Sequence, residues 1–218
     1  MSLSSAYADF NSVIIVGAGN FGAATALTLA QRGVDVKLVD TVQFPNPRAA
    51  SHDINKIVRD DYPDLLYMRM MARAMPKWRN HELYKTWYHE TGMLRADPTG
   101  FGKGSITAYK ELGIDNASEM LTVEEIRKRW NGAFATANFD GVSEVLYNPS
   151  VGFAEADKAL AAVTEAAIEQ GTDYVVGEMD KLIFGPSGQC TGVSLRSGEV
   201  LTADRVLMCT GARTAPLL

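Results

Sequence analysis

Little in this sequence can hold a metal ion or a disulfide framework. Of its 218 residues only two are cysteine, Cys190 and Cys209, and three are histidine. No metal-ligand spacing joins them, so no metal site is expected and both cysteines read as reduced structural thiols. His52, His81 and His89 have no partners spaced for a catalytic triad. They read as ordinary polar histidines, with His52 set apart only by its loop. Basic excess is also missing: 21 Lys and Arg face 26 Asp and Glu, a net charge of −5. That excludes a broad attraction to nucleic acid or an anionic membrane. No apolar run approaches the roughly 20 residues that a bilayer-spanning helix needs. The opening MSLSSAYADF has no basic region followed by an apolar core, so it does not read as a secretory signal. The expected location is cytoplasmic or an organelle matrix, a peroxisomal address included.

What is present begins at Ser12. Val13 to Val16 is a short β-branched run of the kind buried on both faces of a parallel sheet. Gly17, Gly19 and Gly22 follow in G-x-G-x-x-G spacing, with Ala18, Asn20 and Phe21 between them. Gly17 suits a tight turn and Gly19 lets backbone approach a pyrophosphate. Gly22 and Ala26 let a helix pack close to the strand. The helix N-terminus then offers N–H groups and positive potential to phosphates. Ala23, Ala26, Leu27 and Ala30 fall on one helical face, and Gly33 stands where a C-terminal cap belongs. A second strand, Val36 to Val39, ends at Asp40, placed to accept hydrogen bonds from a ribose hydroxyl pair. The carboxylate would repel a 2′-phosphate, which argues against NADP.

This motif alone serves NAD and FAD equally. The far end separates them. VSLRSGEVLTADRVLMCTGA reads as strand, turn, short strand and a strong strand from Arg205 to Cys209, ending in Thr210-Gly211-Ala212. Residues 173 to 209 read as a β-meander after one long helix, where NAD dehydrogenases alternate strands with helices. This order fits the flavoproteins with two dinucleotide-type folds. The same small-residue logic brings Thr210 and Gly211 close to the cofactor. Between the ends, RAASHDINKIVRDDYP is polar and carries Arg48, Lys56 and Arg59. From its residues alone it is either a loop over the cofactor or a solvated charged loop.

The middle mixes helices and strands. Asp64 to Asn80 predicts a helix with Leu65, Met68, Met71 and Met75 along one side, to be kinked or ended at Pro76. Thr86 to Ala96 predicts a strand, with Gly92 a point of close approach. DPTGFGKGS, Asp97 to Ser105, lacks the order of a phosphate loop and reads as a plain loop. Thr122 and Glu125 have capping-box spacing, which starts a short helix. DGVSEVLYNPSVG predicts a strand and turn. Together these form an antiparallel substrate-domain sheet with helices, between two parts of a nucleotide domain.

GAGNFGAATALTLAQRG…VKLVD, SHDINKIVR, YHETGMLRAD, VGFAEADKALAAVTEAAIEQG and VLMCTGA together resemble the monomeric sarcosine oxidase and amadoriase family. These are FAD-dependent oxidases of secondary amines and N-alkylated amino acids. The form DINKIVR looks most like the fungal amadoriase and saccharopine-oxidase branch, which includes enzymes of secondary metabolism. The resemblance runs from about Ser12 to Ala212. It implies an α/β fold: a Rossmann-like FAD-binding domain with an inserted antiparallel-sheet substrate domain. The expected boundaries are 1–62 and 149–218 for the FAD domain and 63–148 for the insert.

The resemblance also implies roles. Gly17, Ala18, Gly19, Asn20, Phe21 and Gly22 hold the pyrophosphate, and Asp40 and Thr41 face the adenosine ribose. Ser51, Asn55 and Lys56 contact the flavin, with the Lys56 ammonium favouring negative charge near N1. Met179 lies near the adenine. Arg59 matches the arginine that binds the substrate carboxylate in sarcosine oxidases, though many amadoriases lack it. The alternative for Arg59 is an ion pair with Asp60 or Asp61. Those two acids are in turn candidate substrate contacts and bases for a substrate phenol. Lys56 and Arg59 are the expected catalytic pair.

The implied reaction is hydride transfer from the carbon beside a secondary or N-methyl amine to flavin N5, with dioxygen reoxidising the flavin to give hydrogen peroxide. The imine is hydrolysed or captured within the molecule, closing a ring. The resemblance implies a monomer working on a small amine and O2. Family members run to about twice this length, so the chain is expected to be a fragment or ordered part of a longer enzyme. Neither cysteine matches the one that carries covalent FAD in many relatives. Two rivals stand beside this reading: an NAD-dependent dehydrogenase, and a non-catalytic nucleotide-binding remnant.

Overall fold

The computed structural model describes residues 10–96 and 98–217. Most of the opening segment, Asp97 at the head of the expected loop, and Leu218 lie outside the described residues. The chain divides into two compact units. One comprises residues up to Ile54 with those from Ala156 onward, and the other is Asn55–Glu155.

Strand β1 (Ser12–Val16) leads through the glycine turn into α1 (Asn20–Ala30) and β2 (Asp35–Asp40), parallel to β1. Val13 to Val16 are all buried, as a strand covered on both faces requires. Helix α1 buries Gly22, Ala23, Ala26 and Leu27. Small residues on that face let its axis approach the sheet.

The second unit opens with β3 (Lys56–Val58) and α2 (Leu65–Asn80). The Asp64 carboxylate caps α2, accepting from the N–H groups of Leu66 and Tyr67. Contrary to the alternative of a stop at Pro76, the helix runs through it to Asn80. Proline forfeits one N–H, and packing holds the last turn: Trp78 lies against the cluster of Val58, Met75, Tyr88 and Ala154. Next come α3 (Glu82–Lys85), β4 (Tyr88–Glu90) and β5 (Met93–Ala96). The single strand expected over 86–96 is therefore two strands. Gly92, at φ 73°, breaks the extended backbone between them, and they join different sheets.

The expected loop at 97–105 is also corrected. Helix α4 (Phe101–Glu111) begins inside it, after Gly100 in the left-handed region. A Cβ on Gly102 would lie 3.0 Å from Leu146 Cβ and 3.1 Å from Met120 Sδ. The glycines that suggest a loop thus allow close helix packing. Strand β6 (Glu119–Thr122) is followed by α5 (Val123–Lys128), begun by the Thr122–Glu125 capping box, and then by β7 (Glu144–Asn148) and β8 (Gly152–Ala154). The strands form two antiparallel three-stranded sheets, ordered β3-β8-β4 and β5-β7-β6.

The chain returns to the first unit with α6 (Ala156–Glu169), which packs against α1. Strands β9 (Asp173–Val176), β10 (Met179–Phe184), β11 (Cys190–Leu195), β12 (Val200–Thr202) and β13 (Arg205–Met208) follow. The meander is shorter than expected. Strand β9 pairs parallel to β2, as the strand after a crossover helix does, and only β10 to β12 form the antiparallel sheet. The parallel sheet runs β13-β1-β2-β9. Its inner face and the meander enclose a core of Ile14, Val16, Val39, Met179, Val193, Leu195 and Leu201. Among the described residues no helix is long and apolar enough to cross a membrane.

Candidate functional site: the glycine turn and the Arg59–Asp61 cluster

Gly17 sits at φ 104°, its N–H donating to the Val39 carbonyl at 2.7 Å. A Cβ there would lie 2.5 Å from the Cys209 carbonyl oxygen and 3.2 Å from Thr210 N. A Cβ on Gly22 would collide with the Gly17 carbonyl and come within 3.4 Å of Cys209 Cβ. Cys209 N–H in turn donates to the Val16 carbonyl at 2.7 Å. The end of β13 is thus locked onto the first turn, and Thr210 adjoins it. Burial pushes the Cys209 thiol pKa up, which suits a packing role.

The N-terminus of α1 offers main-chain N–H groups and carries no negative charge. Gly19, its N-cap, supplies no side-chain cap, and the first turn holds no acidic residue. Asn20 N–H donates to Ser51 Oγ at 2.9 Å, which brings Ser51 to the turn. A Cβ on Gly19 would sit 3.2 Å from that same oxygen. The Phe21 ring is 79% exposed beside these groups. The eleven-residue helix adds the positive end of its dipole.

Asp40 is buried and does more than its motif suggests. Its Oδ2 accepts from Ala18 N–H at 2.8 Å, and its Oδ1 from Thr41 N–H and Asn46 Nδ2, each at 2.6 Å. The acid at the end of β2 therefore ties the turn, its own strand end and Asn46 together. A carboxylate oxygen with one bond keeps a lone pair for a sugar hydroxyl. Thr41 Oγ1 accepts from Asn46 Nδ2 at 3.3 Å. Met179 is buried in the core between sheet and meander. The open helix end, the Cβ-free cradle and the buried acid fit the diphosphate and ribose of a dinucleotide.

In the second unit, Asn55 and Lys56 are exposed where β3 begins, and Val58 points inward. Arg59 donates from Nη1 to the Asp61 main-chain oxygen at 2.6 Å and to Asp61 Oδ2 at 3.3 Å. Its guanidinium lies over the Tyr62 ring, 4.1 Å from the centroid. Asp61 is wholly buried and also meets Arg95 Nε at 3.3 Å. Arg95 stacks on Phe101 at 4.3 Å. Burial raises the Asp61 carboxyl pKa, against the pull of both guanidiniums.

Asp60 points elsewhere. Its Oδ1 accepts from the Tyr109 hydroxyl at 2.5 Å and from Asn148 Nδ2 at 3.2 Å. Burial and the Asp60 charge drive the Tyr109 phenol pKa well above its ordinary value, so it stays a donor. Tyr109→Phe leaves Asp60 Oδ1 with the Asn148 bond alone. The expected loss is about 2 kcal/mol in urea unfolding, the scale for removing one partner of a buried charged group; an unchanged midpoint would contradict this network. Sequence reasoning missed Arg95, Phe101, Tyr109 and Asn148. None carries a motif, and each reaches Asp60, Asp61 or Arg59 only through the tertiary fold.

The chain matches the FAD dependent oxidoreductase family over residues 12–218 and belongs to it. FAD is the cofactor of this family. The L-saccharopine oxidase of Schizosaccharomyces pombe is 29% identical over 219 residues, 92% of this chain and 51% of that protein. A monomeric sarcosine oxidase of Bacillus sp. (strain B-0618) is 29% identical over 214 residues, 94% of this chain and 52% of that protein. Among solved structures, the Aspergillus fumigatus fructosamine oxidase Amadoriase II superposes with a TM-score of 0.81 at 27% identity, over 98% of this chain and 51% of that one. The chain spans about half the length of the curated relatives it matches.

Proposed function

We propose that this protein binds FAD and oxidises a secondary or N-methyl amine of amino-acid character. The observation that carries the reading is the acid-free start of α1, where Gly19 gives no side-chain cap, behind a turn that β13 closes. Relatives named for saccharopine and sarcosine oxidation support the substrate class. FAD, when bound, supplies a two-electron acceptor for the hydride on the carbon beside nitrogen, and passes both electrons to dioxygen.

The residues divide the remaining work. Main-chain N–H groups at Phe21 and Gly22, with Ala18, Gly19 and Asn20 beside them, bind the diphosphate. Asp40 and Thr41 hold the ribose, and Thr210 and Gly211 line the turn. Ser51, Asn55 and Lys56 contact the flavin ring, and the Lys56 ammonium favours negative charge there. Arg59 binds the substrate carboxylate through the part of its guanidinium that Asp61 leaves open; its side chain is 18% exposed. Asp61 acts through Arg59, fixing the plane of that guanidinium. Hydride departs from the unprotonated amine and leaves a protonated imine, which water hydrolyses to an aldehyde and the shortened amine.

The test is the purified protein with sarcosine and longer N-methyl amino acids. The reading expects flavin absorbance bands and peroxide formed mole for mole with amine consumed. A colourless protein that reduces NAD with the same amines would overturn it.

A further inference from the structure

We propose that Arg95 is a positioning residue for Arg59, acting through the Asp61 carboxylate that both guanidiniums share: by drawing on that charge it leaves Arg59 free to bind a carboxylate of the substrate. The inference rests on the carboxylate-binding role given to Arg59 above and adds a residue to it. All its parts lie in the Asn55–Glu155 unit. Arg59 Nη1 and Arg95 Nε each lie 3.3 Å from the same oxygen, Asp61 Oδ2. The two nitrogens are therefore at most twice that distance apart. The Phe101 ring takes both cations, Arg59 at 5.2 Å from its centroid and Arg95 at 4.3 Å.

The two contacts with Asp61 differ in kind. Arg59 Nη1 donates to Oδ2 and, at 2.6 Å, to the Asp61 main-chain oxygen. Arg95 Nε is buried and makes no hydrogen bond, so its N–H is not aligned on the carboxylate. Arg95 thus acts on Asp61 by charge rather than by a directed bond. Across the β5–β7 pair it stands opposite Leu146, not an acid. Among the described residues Asp61 is the one carboxylate within ion-pair distance of either guanidinium. Asp60 bonds Tyr109 and Asn148 instead.

Arg59 with Asp61 alone is neutral, and a neutral pair has little pull on a carboxylate. Two guanidiniums on one carboxylate leave a surplus of one positive charge. That surplus reaches the surface: the Arg59 and Arg95 side chains are 18% and 26% exposed, whereas Asp61 is covered. Both hydrogen bonds of Arg59 leave from Nη1, so Nη2 and Nε hold the donors for a ligand. Tyr62 and Phe101 limit water around these groups, which extends the reach of the Arg95 charge.

Kinetics with sarcosine and N-methylbutylamine at about pH 8, above the ordinary carboxylate range, test this on the wild type, Arg95→Met and Arg95→Lys. Arg95→Met should raise KM for sarcosine about tenfold or more, with kcat within about threefold. The ratio of kcat/KM for sarcosine to that for the carboxylate-free amine should fall by the same factor. Arg95→Lys keeps the charge without the guanidinium plane and should restore both to within about threefold. A merely structural arginine gives another pattern: lysine no better than methionine, and both amines impaired alike. That pattern, or an unchanged sarcosine KM in folded Arg95→Met, overturns the proposal and leaves amine oxidation intact. Saturation-transfer NMR of acetate on the resting proteins needs no turnover. The wild type and Arg95→Lys should bind acetate, and Arg95→Met about tenfold more weakly. If no amine is oxidised but acetate follows that order, the oxidase reading falls and the role of Arg95 stands. Arg95→Gln carries the same expectation should Arg95→Met not fold, and a wild type that does not bind acetate overturns the proposal outright.

Discussion

Gly22→Val is expected to leave little folded protein. Even a single Cβ at this position runs into the Gly17 carbonyl, and Cys209 Cβ closes the other side at 3.4 Å. Valine adds two further methyl groups. The obstacle is main chain on one side and the end of β13 on the other, so no flexible side chain can swing away. The α1 start would have to lift off the sheet, losing the burial of Ala23, Ala26 and Leu27. Overpacking of this kind with helix displacement should cost more than about 3 kcal/mol, a large fraction of a domain's stability. Soluble yield and the thermal midpoint by circular dichroism provide the check. A variant that melts with the wild type would mean that strand, turn and helix are not packed as described.

Asp40→Ala should cost about 4 kcal/mol and abolish nucleotide binding. The substitution removes the acceptor for three donors at once: Ala18 N–H, Thr41 N–H and Asn46 Nδ2. Each stranded donor in a buried place costs roughly 1–3 kcal/mol, partly relieved by water entering the gap. The loss should appear in urea unfolding without added cofactor, because the bonds are internal to the fold. Asp40→Asn retains one acceptor oxygen and should recover about half of the stability. If Asp40→Ala unfolds like the wild type and loses only nucleotide affinity, the carboxylate serves the ligand alone and its structural role is wrong.

The legibility of this chain follows the range over which each feature is determined. β1, α1 and β2 depend on neighbours within 30 residues, and their alternation, small-residue face and glycine spacing are all local. The capping box at Thr122 and Glu125 is equally local and forms as its spacing predicts. The glycine-rich stretch before α4 misleads because the same residue that favours a loop also permits contact with Leu146 and Met120, partners far along the chain. The break at Gly92 hides inside a run that reads as one strand. It appears only because β5 pairs with β7 while β4 pairs with β8.

The candidate site divides in the same way. The glycine turn and Asp40 are legible from one continuous motif. The return of β13 onto that turn is legible from the small residues after Cys209. The environment of Arg59 is not. Its pairing with Asp61 is a neighbour effect open to guessing, whereas the stacking of Arg95 on Phe101 and the Tyr109–Asp60–Asn148 network need the folded unit. Polar residues scattered between position 60 and position 148 carry no spacing rule that would gather them.

The central claim is that the turn from Gly17 to Gly22 holds the diphosphate of FAD. Equilibrium titration of the flavin-free protein with FAD, NAD and NADP, followed by flavin fluorescence and by calorimetry, tests it most directly. The account predicts one site that takes FAD, with NADP rejected by the charge on Asp40 and NAD bound far more weakly. A site that takes NAD in preference to FAD, or FAD binding undiminished in a folded variant whose turn is disrupted, would contradict it.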